Sequence, residues 1–318
     1  MKKLSDIVTS RNELLARLYE DKMAGKEIEL QYIPTGLSAL DKLGLLEKGV
    51  LTIIGGTPGA GKTAWAVQLL KAAAECGYSP MGFFFEDPLE FLADRITSAA
   101  IGESAFQIRR LTLLDDDIPE RLRLVTKALP WLQYVSIDDA LIDTKQLVKK
   151  LFDTVTEDTG LVVIDYAQAF DAEDDERSVE RVIARLAWSL NQLAKARKVA
   201  VVLFSQLKAE VRDRGNKWFE NTRFKTGAEP GPTSYEYVEG FRPRSGDLQW
   251  SSALTQRAKQ IIYLFRPGEL LRSFGVAAKD TIVQVQIDKG NFGPNKEIVE
   301  FIWHGPTGSI TEKKGKNA

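Results

Sequence analysis

Short, nearly continuous apolar runs alternate along this chain with longer stretches in which apolar residues recur at helical spacing. The runs read as buried strands and the periodic stretches as amphipathic helices. GVLTIIGG, SPMGFFFE, YVSIDD, LVVIDYAQAF and VAVVLFSQ are the predicted strands. Between them lie the predicted helices TAWAVQLLKAAAECG, stopped by Gly77, then DPLEFLADRITSAAIG, IDTKQLVKKLFDTVTEDTG and SVERVIARLAWSLNQLAKARK. QIIYLFRPG and TIVQVQIDKG read as late strands, with EIVEFIWH as hairpin partner to the last. Strands separated by helices give a βαβ succession. The predicted fold is α/β, with a mostly parallel central sheet and antiparallel additions at its C-terminal edge.

Three stretches fall outside this rhythm. Leu4, Ile7, Val8, Leu14, Leu15 and Leu18 predict an amphipathic helix within residues 1–29, which packs on its own domain or docks on a neighbouring subunit. Residues 208–246, rich in Gly, Pro and aromatics, read as a long irregular loop inserted in the main domain of residues 30–307. Residues 308–318 are expected as a basic flexible tail.

Composition narrows the field. With 27% charged and 44% hydrophobic residues the chain is of the globular kind, and a net charge of -1 argues against a histone-like surface while allowing local basic loops. One cysteine, Cys76, and one histidine, His304, exclude an internal disulfide and a Cys/His zinc site. No signal peptide or long apolar span is evident, so the expected compartment is the cytoplasm.

The strongest chemical signal is Gly56-Thr57-Pro58-Gly59-Ala60-Gly61-Lys62-Thr63, which satisfies G-x-x-x-x-G-K-[ST] between a strand and a helix. Its glycines let main-chain N–H groups face phosphates, Lys62 reaches the β and γ phosphates, and Thr63 offers a hydroxyl to Mg²⁺. ATP with Mg²⁺ is therefore the expected ligand. Asp165, closing LVVID, is the expected carboxylate for the ion, with a helix cap as the alternative. Glu86 ends GFFFE, and a sheet placing this strand beside the loop strand would bring its carboxylate to the attacking water, with Asp87 and Glu90 as rivals. Ser205-Gln206 end VAVVLFSQ, where Gln206 senses the γ phosphate or merely caps the strand.

These segments, in the order IPTGLSALDKL, the glycine loop, GFFFEDPLEFLADRI, LVVIDYAQAF, VAVVLFSQL, GDLQWSSALTQRAKQIIYLFRPG and IDKGNFGP, resemble the C-terminal motor domain of DnaB-type replicative DNA helicases. The most specific parts are D-Y-x-Q from Asp165 and D-L-x-x-S-x-x-x-x-Q-x-A from Asp247. The likeness implies a RecA-like fold, a homo-oligomeric, hexameric ring with ATP between neighbours, translocation on single-stranded DNA, and contact with other replication proteins in a bacterial host, whether phage- or plasmid-encoded. It implies that Lys62, Glu86, Gln206 and Lys289 are catalytic, Lys289 acting toward the neighbour's nucleotide, and that Thr63 and Asp165 hold the ion. Asp247 and Gln256 match the segment tied to DNA contact and subunit coupling.

Departures accompany the likeness. The family's last motif carries a second basic residue, the arginine finger, where this chain has Asn291; Lys289, Arg257 or Arg266 must substitute, or hydrolysis is slow or partner-dependent. Gln249 and Trp250 replace Arg and Glu, and Arg257 and Lys259 replace acids, reversing that segment's charge. Lys208, Arg212, Arg214, Lys217, Arg223 and Lys225, with Trp218 among them, are the candidate contacts to single-stranded DNA; the bland alternative is a solvated flap that packs Trp218 on the domain. A nucleotide-switched scaffold with weak turnover and a filament-forming recombinase are the rival functions.

Overall fold

The structure, a computed structural model, describes residues 3–26, 31–113, 116–139, 143–165, 176–249, 251–278, 281–290 and 297–313. The chain divides into two units, Met1–Tyr32 and Ile33–Ala318. The first consists mainly of helix α1 (Leu4–Met23), which buries none of its residues and leaves Leu4, Ile7, Val8, Tyr19 and Met23 exposed.

In the second unit the described strands are β1 (Leu51–Gly56), β2 (Met81–Phe84), β3 (Ser136–Asp138), β4 (Leu161–Asp165), β5 (Ala200–Ser205), β6 (Gln260–Phe265), β7 (Ile282–Lys289), β8 (Ile298–His304) and β9 (Ser309–Glu312). They form one sheet in the order β3-β2-β4-β5-β1-β6-β7-β8-β9. The first six run parallel, and β7, β8 and β9 add antiparallel. β1, β4, β5 and β6 are buried at every position, which explains why they read as continuous apolar runs rather than alternating ones.

Helices cover both faces. On one lies α3 (Lys62–Glu75), whose Trp65, Leu69 and Leu70 pack with Ile54, Phe204, Leu264 and Phe301; Trp65 meets Phe301 edge-on at 5.9 Å. On the other lie α7 (Thr144–Thr154) and α8 (Glu176–Arg197), with Leu147, Leu151, Leu186 and Leu190 against Ile53, Val162 and Leu203. Asp143 caps α7 by accepting the N–H groups of Lys145 and Gln146 at 2.7 and 2.9 Å. The remaining helices on the early part of the chain are α2 (Ser38–Asp41), α4 (Leu89–Ile101), α5 (Ala105–Arg110) and α6 (Ile118–Ala128).

Two expectations are corrected. Residues 208–246 are not an irregular loop: α9 (Ala209–Thr226) occupies their first half, ended by Gly227 in the left-handed region, and a 3₁₀ turn (Tyr235–Phe241) returns against it. Val211, Gly215 and Phe219 make the buried face of α9, and a Cβ at Gly215 would stand 2.2 Å from the Phe241 ring, so only glycine admits this crossing. Phe219 stacks on Phe274 at 3.9 Å, and Tyr237, Val238, Phe241, Phe265 and Leu271 complete a separate small core. Phe274 follows α11 (Pro267–Ser273). The second correction concerns the tail. Ser309–Glu312 pair with β8, Glu312 accepts from the Ser38 hydroxyl and the Ala39 N–H, and Lys313 pairs with Glu300 at 2.7 Å. Residues 314–318 lie outside the described residues.

Candidate nucleotide site

β1 delivers its C-terminal end into the glycine loop, and the loop delivers Lys62 and Thr63 into the first turn of α3. Gly61 caps that helix at φ 91°, a left-handed conformation, and a Cβ there would stand 2.9 Å from the Trp303 ring. Lys62 is buried and donates to the carbonyls of Gly56 and Thr57, both at 3.2 Å. Burial lowers its pKa, opposed by the charges of Asp165 and Glu86.

β4 ends at Asp165, which the parallel register sets opposite Phe84 of β2. Thr63 Oγ1 donates to Asp165 Oδ2 at 2.9 Å. Burial pushes the Asp165 carboxyl up to about 6; the Thr63 hydrogen bond and Lys62 oppose the rise, while Glu86 and Asp87 add to it. The carboxylate is held beside the Thr63 hydroxyl and within reach of the Lys62 charge. An all-oxygen pair of one hydroxyl and one carboxylate suits Mg²⁺, which keeps water and phosphate oxygens in its remaining positions. The donor set therefore fits the ion.

β2 is not adjacent to β1, as the route to Glu86 supposed; β4 and β5 stand between them. Glu86 reaches the site differently. Phe85 donates its N–H to the Asp165 carbonyl at 3.1 Å, extending the β2–β4 pairing, and the chain then turns Glu86 and Asp87 over the same cleft. β5 does lie beside β1, and Gln206, one residue beyond it, lines the same cleft as the loop. Lys62, Thr63, Glu86 and Gln206 thus line one cleft of about 270 Å³.

Three further residues line this cleft: Arg95 of α4 and Trp303 of β8, which were not singled out from sequence, and Arg266 after β6, which was named there only as a substitute for the missing finger. Arg266 is 8% exposed, lies 4.2 Å from the Trp303 ring centroid, donates to the Gly59 carbonyl and stands 3.5 Å from Glu269. Trp303 was detectable in principle. In EIVEFIWH the alternation of β8 places Val299, Phe301 and Trp303 on the α3 face.

Lys289 is elsewhere. Its register partner is Ile261, near the start of β6, whereas Gly56 pairs with Leu264 near the end. Its ammonium donates to the carbonyls of Thr255 and Ala258 at 3.1 and 2.8 Å, closing the end of α10 (Ser251–Arg257). Gln256 and Arg257 are exposed on that helix. Asn291, Trp250 and the Tyr166–Gln168 part of the D-Y-x-Q motif lie outside the described residues.

The residues expected to meet DNA are divided. Arg212, Lys217, Arg223 and Lys225 project from the exposed side of α9, with Arg223 paired to Glu229. Lys208 precedes the helix and donates its N–H to the Asp247 carbonyl at 2.8 Å. Trp218 is 43% exposed, and its indole N–H donates to the Glu236 carbonyl at 2.8 Å. Arg214 turns inward and binds Asp247 through both guanidinium ends, at 2.8 and 3.0 Å. Trp218 and Arg214 thereby brace the insertion.

The family model of the DnaB-like helicase C-terminal domain matches residues 32–222, from before the glycine loop into α9. The chain belongs to that family. The replicative helicase DnaB of Rhodothermus marinus is 31% identical over 235 residues, 67% of this chain and 24% of the relative. DnaB of Haemophilus influenzae is 27% identical over 241 residues, and a probable plasmid replicative DNA helicase of Chlamydia psittaci 25% identical over 238; each match covers 74% of this chain and 46% of the relative. The chain therefore spans about half the length of these two relatives, and less of the first. Among solved structures, a DnaB-like replicative helicase superposes with a TM-score of 0.72 at 22% identity, covering 95% of this chain and 67% of that one. The RadB recombinase superposes with 0.52 at 16%, covering 89% and 100%. The fold is RecA-like α/β, and the family is one of nucleotide-binding P-loop proteins. Among the described residues no helix is long and apolar enough to cross a membrane.

Proposed function

We propose that this DnaB-like domain is the motor of an ATP-driven DNA helicase, working as a ring of copies along single-stranded DNA. The observation carrying the reading is the convergence of Lys62, Thr63, Glu86 and Gln206 on one cleft, with Asp165 bonded to Thr63 beneath it. Main-chain amides of the loop and Lys62 hold the phosphates. Thr63 and Asp165 would hold Mg²⁺, which would supply neutralisation of phosphate charge. Glu86 orients the attacking water and accepts its proton, and Gln206 registers the terminal phosphate. The exposed basic side of α9 gives the strand a cationic track.

The test is hydrolysis and strand separation by wild type beside K62A, with and without oligonucleotide. Stimulation by single-stranded DNA, lost in K62A, is the expected result. Assembled protein whose hydrolysis ignores DNA would refute the motor. That outcome would favour a nucleotide-switched scaffold, the reading to which Asn291 in place of a second basic residue points. Electron micrographs with nucleotide separate a closed ring from a recombinase-like filament.

A further inference from the structure

The exit of the sensor strand is zipped to the segment that starts at Asp247. The Gln206 carbonyl accepts the Gln249 N–H at 3.0 Å, Leu207 and Leu248 form an antiparallel bridge, and Lys208 N–H donates to the Asp247 carbonyl at 2.8 Å. A displacement of the backbone at Gln206 is therefore a displacement of Asp247. Its carboxylate in turn takes Arg214 bidentately, at 3.0 Å from Nη1 and 2.8 Å from Nη2, and accepts the Arg244 N–H at 2.8 Å.

The same guanidinium donates from Nε to the Gly240 carbonyl and from Nη2 to the Arg242 carbonyl, both at 2.8 Å. One side chain thus joins α9, the end of the 3₁₀ turn and the sensor's exit. The pair is largely withdrawn from water, with side chains 28% and 15% exposed. A planar, bidentate pair in such surroundings has one geometry, unlike a solvated lysine pair that slides among several. Arg214 lies in the second turn of α9, so whatever moves it moves the exposed side that carries Arg212, Lys217 and Lys225.

We propose that Arg214 is a positioning residue, clamped to Asp247 so that α9 follows the sensor strand when the nucleotide state changes. This rests on the motor reading above, which supplies both the changing nucleotide and the bound strand. The clamp turns a small movement at Gln206 into a reorientation of a helix, which a flexible connection of the same length would absorb.

Dissociation constants of a labelled oligothymidylate are measured by anisotropy with a non-hydrolysable ATP analogue and with ADP, and their ratio is the readout. Wild type is expected to show a ratio within the roughly 5–150-fold range of coupled sites, and Arg214→Met and Asp247→Asn to bring it within about twofold of unity. Arg214→Lys, which keeps the charge but not the fork, should retain part of it. Phe219→Leu is the control for a merely structural role, since it loosens the insertion's small core without touching the clamp. Hydrogen exchange of the α9 amides shows whether each variant keeps the helix. An Arg214→Met ratio equal to wild type overturns the proposal. So does a Phe219→Leu ratio reduced as far as that of Arg214→Met, because the effect then belongs to the insertion's fold. A wild-type ratio of one refutes the motor reading itself, and the clamp with it.

Discussion

Replacing Asp165 by asparagine should make the nucleotide-free protein more stable at neutral pH while destroying its grip on the ion. The carboxyl is 5% exposed at the end of β4, and burial raises its pKa from 3.8 to about 6 despite the Thr63 hydrogen bond and Lys62. The folded value lies above the unfolded one. The group's contribution to stability is therefore fully present below about pH 3.8 and is lost as pH rises through about 6. Above that window the ionised side chain opposes folding by about 3 kcal/mol, at about 1.4 kcal/mol per pH unit. Asparagine keeps an oxygen for the Thr63 hydroxyl and has no charge to desolvate. In thermal denaturation at about pH 7.5 without nucleotide, D165N should melt roughly 6 °C above wild type, at about 2 °C per kcal/mol for a chain of this size. The gap should narrow at about pH 4.5, where the wild-type carboxyl is largely protonated. With Mg²⁺ and nucleotide the order should reverse, because only wild type gains the binding energy. D165N melting below wild type at neutral pH without nucleotide would refute the reasoning: Lys62 and Thr63 would then overcompensate burial, and Asp165 would be a structural ion-pair member.

Three other outcomes follow from the site. E86Q preserves shape and should leave nucleotide affinity unchanged in calorimetry while lowering turnover by about 10²–10⁴-fold; wild-type turnover would move the base elsewhere, with Asp87 next in line. G61A places a Cβ 2.9 Å from the Trp303 ring at a φ of 91°, so nucleotide affinity should fall at least about tenfold with an unchanged circular dichroism spectrum. Undiminished affinity would show that the loop binds phosphate without this turn. K289A removes two bonds from the end of α10 and should lower stability by about 1 kcal/mol in denaturant titration. If its turnover defect is confined to the assembled protein, Lys289 serves the neighbour; an equal defect in isolated chains assigns it to the cap alone.

The parts of the fold legible in sequence are those where one physical signal dominates. β4 and β5 are buried on both faces and had to be apolar throughout, and the loop between β1 and α3 must be glycine-rich to expose its amides. α9 escaped because its buried face is only Val211, Gly215 and Phe219, its other positions are mostly charged or polar, and a mid-helix glycine argues against a helix until Phe241 is seen to occupy the gap. β9 escaped because an edge strand pairs on one side only and tolerates the charges that made it read as a tail. Of the site, Lys62, Thr63 and Asp165 followed from local motifs. Trp303 did not, since it comes from a distant segment and meets the cleft only through the order of the sheet; Arg95 follows Glu86 closely but carries no motif that marks it, and Arg266 was named only as a stand-in for the finger.

That order also sorts the cations between the two ends of the sheet. Parallel strands gather the loop, Asp165 and Gln206 at one end of the sheet, while the register of β7 on β6 leaves Lys289 toward the other. Lys289 therefore does not share its own chain's cleft, and any action on a nucleotide requires a second copy. Within the chain, Arg95 and Arg266 stand where Lys289 does not. Arg266 is fixed by the Gly59 carbonyl on one side and the Trp303 ring below it, with Glu269 drawing on its charge. Its place in the cleft is therefore set by its own chain's contacts. Arg95 has a looser tether, an ion pair with Asp87 at 3.8 Å and an exposed side chain, and it borders the corner shared by Thr63, Glu86 and Asp165. Of these two arginines, Arg95 is the less constrained, while Arg266 is built into the wall.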